Sequence, residues 1–320
     1  MLNDRLAGNA PLKAAVAEMR RTGRMGHSLL LVGEPGLGAG FAARCIAADL
    51  LFPAGGPAAE ALLRGECCQA VAEAGEREGR IVTGVVREAV CAASGGLTDT
   101  IKVGQIRALR TEIYHSGLAT PRRAVLIPRA EKLQTEAANA LLKVLEDPPE
   151  NVTFLLTAAS LAGVLPTIRS RCSSLALAPV PAAECAACCT ARGVEPGLAA
   201  LLAQVYDGRI GTALAVAGDE KRRAMLETAS FLAAAAAAHD AYRAAVLLSA
   251  FEKDRRGALL LLDDLSALAA CALRGAPVTP LTPHAAVHVI RVADAARARF
   301  AANGNARLVL TATALQLAKA

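Results

Sequence analysis

Residues 28–40 read SLLLVGEPGLGAG. An apolar run at 29–32 feeds a glycine-rich turn, and an apolar-periodic stretch follows at once. A strand, a glycine loop and a helix in direct succession form the context of a phosphate-binding loop, whose template is G-x-x-x-x-G-K-[ST]. Gly33 and Gly38 occupy the two glycine positions, with Gly36 between them. The lysine position holds Ala39 and the Ser/Thr position holds Gly40. The backbone cradle is expected to form, because main-chain N–H groups at a helix N-terminus bind anions without a lysine. The phosphate-binding cation and the Mg²⁺-ligating hydroxyl are both missing. A charge-assisted hydrogen bond is worth roughly 1.5–3 kcal/mol. Losing it together with the metal ligand is expected to cripple productive ATP use. Passive binding of a nucleotide, phosphate or sulfate stays open.

The bulk numbers bound the rest. A chain of 320 residues is long enough for two or three domains. Hydrophobic residues make up 54%. No uninterrupted apolar run reaches the roughly 18 residues a spanning helix needs, and the longest candidate, 231–238, is mostly alanine. No basic segment followed by a compact apolar core opens the chain, so no signal peptide and a cytoplasmic location are expected. The net charge of +6 is compatible with nucleic acid without requiring it. Aromatics are 3% and Trp is absent, which disfavours base-stacking platforms for single strands. The nine cysteines read as reduced thiols. Neither the cluster Cys185, Cys188, Cys189 nor the adjacent pair Cys67, Cys68 has the spacing of a tetrahedral zinc site. Apart from Cys172, the cysteines read as small buried hydrophobes on helices.

Residues 1–165 alternate strand-like and helical patterns. Strands are expected at 29–32, 124–127 and 152–156, and helices at 11–22, 40–51, 103–115 and 135–146, with Thr135 as an N-cap. The alternation argues for a parallel sheet covered by helices. The stretch 53–100 fits poorly; a helix or two and a strand near 85–90 are expected there. Residues 166–217 read as a small second unit: a strand at 174–178, then helices near 181–191, 196–206 and 210–217, the last two separated by the Asp207-Gly208 turn. Residues 218–320 read as helix throughout. Apolar residues recur at helical spacing, as at Leu259, Leu262, Leu265 and Leu268, which fits a bundle burying its faces on itself or on sister subunits.

Two further segments carry chemistry. The strand at 124–127 ends in Pro128-Arg129-Ala130-Glu131. A P-loop ATPase places acids at that strand end to hold Mg²⁺ and position the attacking water. Here Arg129 is electrostatically wrong for the task, and Glu131 lies past the strand. Next, residues 165–172 read LPTIRSRC, with Arg169 and Arg171 flanking Ser170. On an extended segment residues two apart share a face, so both arginines would point at one neighbour. An arginine supplied in trans to a transferring phosphoryl group can be worth about 10³-fold or more in rate.

Together these segments resemble the AAA+ clamp-loader subunits of bacterial DNA polymerase III, the delta-prime type most closely. The resemblance rests on residues 27–40, 103–113 (VGQIRALRTEI), 122–158 (RRAVLIPRAEKLQTEAANALLKVLEDPPENVTFLLTA) and 165–172, in that order. It covers about half the chain well; residues 218–320 match only in helical character and length. The fold it implies is α/β plus all-α. An AAA+ P-loop-like parallel-sheet domain spans residues 1–165, a small helical lid 166–217, and a C-terminal helical collar 218–320.

The resemblance also implies roles. Arg171, with Ser170 and Cys172, matches the family's SRC motif and is expected to reach ATP on an adjacent ATPase subunit. Thr157 falls at the sensor-1 position, and Arg209 loosely at sensor 2. Gly33, Gly36, Gly38, Ala39 and Gly40 form the degenerate P-loop. No cofactor is required, and no zinc is expected: Cys67, Cys68 and Cys91 do not rebuild the four-cysteine module of many relatives. The implied partners are the gamma/tau and delta subunits, the sliding clamp, and primed DNA through the complex, with no membrane. Lys102, Arg107, Arg110, Arg122 and Arg123 are candidate phosphate contacts. The implied role is non-catalytic, within the DNA polymerase III holoenzyme. Two alternatives stand beside it: an active AAA+ ATPase with an unusual P-loop, and a regulatory binding module of another replication or repair complex.

Overall fold

Among the described residues, five short strands carry the first half of the chain, and all but the last, SSLA at 173–176, are mostly apolar. A strand buried on both faces reads this way, because it has no solvent side to supply alternating polar residues. The computed structural model describes residues 2–22, 25–65, 80–82, 100–114, 122–149 and 151–319. The strands are β1 (Ser28–Val32), β2 (Arg80–Val82), β3 (Arg123–Ile127), β4 (Val152–Ala158) and β5 (Ser173–Ala176). They form one sheet in the order β2-β3-β4-β1-β5, every pairing parallel.

The helices of this half are α1 (Leu2–Arg5), α2 (Ala10–Arg21), α3 (Ala39–Leu51), α4 (Pro57–Arg64), α5 (Val103–Tyr114), α6 (Thr135–Glu146) and α7 (Pro166–Arg169). Strand alternation splits the core in two. Leu29, Leu31, Leu126 and Leu155 pack with residues of α1 to α4. Leu30, Val125, Ile127, Phe154 and Leu156 pack with α5, α6 and α7. Helices therefore cover both faces, as the α/β pattern predicts.

Two expectations need correction. Helix α6 begins at Thr135, but its N-cap is Gln134, and no side chain caps it. The strand expected at 174–178 is β5, at 173–176, and it pairs with β1. That pairing draws residues 166–180 into the first compact unit, residues 1–180, so the break falls after Val180 and not after 165. The strand expected near 85–90 lies outside the described residues.

The second compact unit, residues 181–320, is all helix. Its elements are α8 (Ala182–Thr190), α9 (Pro196–Val205), α10 (Ile210–Gly218), α11 (Glu220–Ala237), α12 (Ala241–Ser249), α13 (Arg255–Leu273), α14 (Pro283–Ala301) and α15 (Ala306–Leu317). Capping residues delimit many of them. Glu195, Asp219, Asp240, Asp254, Thr282 and Asn305 each accept main-chain N–H bonds in the first turn of the helix they precede. Helix α13 packs on α11 and α14, and α12 on α15. Among the described residues no helix is long and apolar enough to cross a membrane.

Candidate functional site

The glycine loop lies between the end of β1 and the start of α3. The Gly33 N–H donates to the Ala158 carbonyl at 2.9 Å, tying the loop to the end of β4. Gly36 and Gly38 have φ of 90° and 92°, a region L side chains rarely adopt. Gly38 is the N-cap of α3; it offers no side-chain acceptor, and its carbonyl accepts the Ala42 N–H at 2.8 Å. The first four N–H groups of a helix lack intrahelical partners and carry the positive end of its dipole. The glycine loop thus ends at a helix N-terminus, the end of a helix that attracts anions.

The side chains that would hold a phosphate there are missing. Ala39 is half-buried against the core on the α1–α4 face, and Gly40 is exposed. The nearby cation is Arg44, whose Nη1 lies 3.8 Å from the point a Cβ on Gly40 would occupy. Its Nε donates to the Leu63 carbonyl at 3.2 Å, and its guanidinium lies 5.8 Å from the Phe41 ring centroid. Arg44 thus spans from α3 to α4. The sequence carried a signal for it: position 44 is one turn beyond position 40, and helical side chains lean toward the N-terminus.

Thr157 is buried and sits opposite Leu31 in the β1–β4 register, so it neighbours the strand that enters the loop. Its hydroxyl accepts the Arg129 main-chain N–H at 3.2 Å. That bond joins the end of β4 to the end of β3. Pro128 and Arg129 are exposed there, and Arg129 has a left-handed φ of 52°. Glu131 lies in a 3-10 turn, Ala130–Lys132, with its Cβ 3.1 Å from where a Cβ on Gly163 would stand. One of its carboxylate oxygens is buried without a hydrogen-bond partner. Positions 128 and 129, at the strand end itself, supply no carboxylate.

The arginine-bearing segment is not extended as expected. Residues 166–169 form the turn of helix α7, closed by Arg169 N–H to Leu165 and Ser170 N–H to Pro166 bonds of 3.1 and 3.0 Å. Pro166, whose ring pre-sets a helical φ at the first turn, favours this over a strand. Strand alternation therefore does not put Arg169 and Arg171 on one face. Arg171 is held by three acceptors. Its Nη1 donates to the Thr167 carbonyl at 3.0 Å and to the Ser170 hydroxyl at 3.3 Å, and its Nη2 to Glu146 Oε1 at 2.5 Å. None of these partners belongs to the chain's own glycine loop. Cys172 packs against the core on the α5–α7 face, and burial pushes its thiol up to about 11.

Arg209 belongs to the second compact unit, where it precedes α10 as the N-cap without a side-chain capping bond. Close to it in sequence is a buried network the sequence reading missed. The Tyr206 hydroxyl and Arg222 Nη2 both donate to Asp264 Oδ1, at 2.8 and 3.0 Å, while Asp264 Oδ2 has no partner. An acid inside the apolar run 259–268 was the available signal.

The remaining candidates divide. Lys102, Arg107, Arg110 and Arg122 are exposed. Arg123 is not a phosphate contact: it is buried, and its guanidinium donates to the Ile113 carbonyl at 3.1 Å. Cys45, Cys185, Cys189 and Cys271 are buried free thiols, and burial, reinforced by Cys189, pushes Cys185 up to about 12. Among the described residues no group of three or more His, Cys, Asp or Glu is placed to hold a metal. Cys67, Cys68 and Cys91 lie outside them.

A family model described as "DNA polymerase III, delta subunit" matches residues 8–181. The "DNA polymerase III subunit gamma/tau" of Mycobacterium bovis is 35% identical over 162 residues, which is 51% of this chain and 25% of that protein. The "DNA polymerase III subunit delta'" of Yersinia pestis is 33% identical over 175 residues, 51% of this chain and 45% of that protein. The matches thus span less than half the length of these relatives. Among solved structures, a gamma subunit-related protein from Thermotoga maritima superposes with a TM-score of 0.49 at 16% identity, covering 95% of this chain and 98% of that one.

Proposed function

The chain belongs to the family described as DNA polymerase III, delta subunit, and on that premise we propose that it works as a delta-prime-like, non-catalytic clamp-loader subunit. It scaffolds an ATP-driven assembly with gamma/tau and delta subunits that sets a sliding clamp on primed DNA. It also supplies Arg171 to ATP bound on the adjacent subunit. Residues 181–217 and 218–320 serve as lid and collar.

One observation carries the reading. The glycine loop leads into the N-terminus of α3, yet positions 39 and 40 hold Ala and Gly, and β3 ends in Pro128-Arg129. ATP chemistry draws on a lysine, a metal-ligating hydroxyl and strand-end acids, and all three are replaced here. The loop therefore takes at most a passive nucleotide, phosphate or sulfate, and the chain requires no cofactor and no zinc. Arg171 engages only residues outside that loop, which supports its service to a neighbour's site.

The test is DNA- and clamp-stimulated ATP turnover of a loader reconstituted with wild-type chain or Arg171→Ala. The variant is expected to assemble normally and to lose roughly 10- to 1000-fold in turnover. Wild-type turnover from the variant-containing loader overturns the finger. Mg²⁺-dependent ATP hydrolysis by the isolated chain overturns the non-catalytic role.

A further inference from the structure

Glu146 is the last residue of α6, followed by Asp147 and then Pro148-Pro149. The residue before a proline is pushed out of the helical region, so Asp147 takes φ −134° and the helix stops at Glu146. The Tyr114 hydroxyl, at the end of α5, donates to the Asp147 carbonyl at 2.8 Å and anchors this corner. A carboxylate at a helix C-terminus is electrostatically unfavourable for the helix itself. Glu146 is therefore poorly explained as a helix-stabilising residue. Its side chain is half exposed, and exposed ion pairs contribute little to stability.

Its geometry has a better use. The Glu146 carboxylate takes one terminal nitrogen of Arg171, while the Thr167 carbonyl and Ser170 hydroxyl take the other. A guanidinium has five N–H donors, so this set of bonds orients it and leaves donors for an anion. Arginine carries large rotamer entropy, and a guanidinium fixed beforehand loses less freedom at the moment of reaction. Arg171 remains about a third exposed, so the pair does not bury it.

We infer that Glu146 is a positioning residue: its carboxylate holds the Arg171 guanidinium in the orientation in which it meets the phosphates of a nucleotide on a neighbouring subunit. The inference rests on the trans role proposed for Arg171. Glu146 touches no reacting atom and acts only through Arg171.

The experiment is a double-mutant cycle in the reconstituted assembly, reading kcat and KM for ATP with wild type, Glu146→Ala, Glu146→Gln, Arg171→Ala and the Glu146→Ala/Arg171→Ala pair. Glu146→Ala is expected to lower kcat about tenfold, with little change in KM or in assembly. Glu146→Gln keeps an acceptor oxygen and is expected to recover part of the loss. In the Arg171→Ala background, Glu146→Ala is expected to change nothing further. If Glu146→Ala matches wild type while Arg171→Ala is impaired, the positioning role is overturned and the finger stands. If the two losses multiply, Glu146 acts independently of Arg171 and the inference also falls. If Arg171→Ala itself matches wild type, the finger reading fails and takes this one with it.

Discussion

Restoring the two missing side chains of the glycine loop tests whether its main chain is a phosphate cradle. The double variant is Ala39→Lys/Gly40→Thr, and its change at Gly40 brings no backbone strain. Gly40 lies outside the left-handed region, and a Cβ added there meets only Arg44 Nη1, at 3.8 Å. Ala39 is the first residue of α3, at the helix end whose dipole attracts anions. A lysine there adds a charge-assisted bond of roughly 1.5–3 kcal/mol to a bound phosphate, or about 10- to 150-fold in affinity. The assay is calorimetric titration of the variant with ATP, with and without Mg²⁺. Ala39→Met/Gly40→Thr serves as the control that keeps side-chain length and drops the charge. The lysine variant is expected to bind at least about tenfold more tightly than the control. No turnover is expected from either variant, because β3 still ends in Pro128-Arg129. Equal affinity of the lysine and methionine variants refutes the reasoning: the main chain at 33–40 would then not present its N–H groups to a phosphate.

Two glycines of the same loop are expected to fail for different reasons. Gly33→Ala puts a Cβ 3.1 Å from Leu177 Cβ and 3.4 Å from Leu37 Cβ, and should cost about 1–3 kcal/mol by overpacking. Gly38→Ala meets nothing within 4 Å but must adopt φ +92°, at about 1–2 kcal/mol; urea unfolding measures both, and a neutral Gly33→Ala would contradict the packing at Leu177. A pH series tests the buried network of the helical unit. Burial, opposed by the Arg222 guanidinium, holds the Asp264 carboxyl above the usual carboxylate range. The folded chain therefore keeps this proton to higher pH than the unfolded chain. The group's stabilising contribution is full below the unfolded value near 4 and is lost as pH rises through the folded value. The stability difference between wild type and Asp264→Asn should decline as pH is raised above the unfolded value near 4, and a flat difference would refute the shift.

The sheet was legible because its strands are short apolar runs set between helical periods, and β1, β3 and β4 sit where those runs predicted. Less legible was what depends on long-range pairing. Nothing local in residues 173–176 announces that they pair with β1, so the end of the first unit read 15 residues early. Arg123 reads as a surface cation by type, yet it lies on a strand covered on both faces and finds a main-chain acceptor in α5. Arg171 was picked out by its motif, but its guanidinium meets Glu146, 25 residues earlier. Sequence spacing does not encode that contact, and the turn of α7 makes it.

Glycines at 33 and 38 do not by themselves speak for a nucleotide. Gly33 has a local reason to be small, since Leu177 and Leu37 crowd its Cβ position and its N–H is already committed to Ala158. Gly38 has a conformational reason, a left-handed N-cap from which α3 departs. A loop built this way links β1 to α3 and seats the chain after β5 whether or not a phosphate ever enters it. The informative positions are those the fold leaves unconstrained. At Gly40 an added Cβ would meet only the end of the Arg44 side chain, at ordinary contact distance, so a side chain would fit and none is present. Positions 128 and 129 are exposed at a strand end, where carboxylates would fit and a proline and an arginine stand instead. At those positions core packing does not dictate the side chain, so the absent hydroxyl and carboxylates are not a by-product of packing. The same reasoning separates Arg171 from Arg123. The buried guanidinium is enclosed by the fold and has a main-chain acceptor in α5. Packing does not account for an exposed one held by three acceptors with donors to spare.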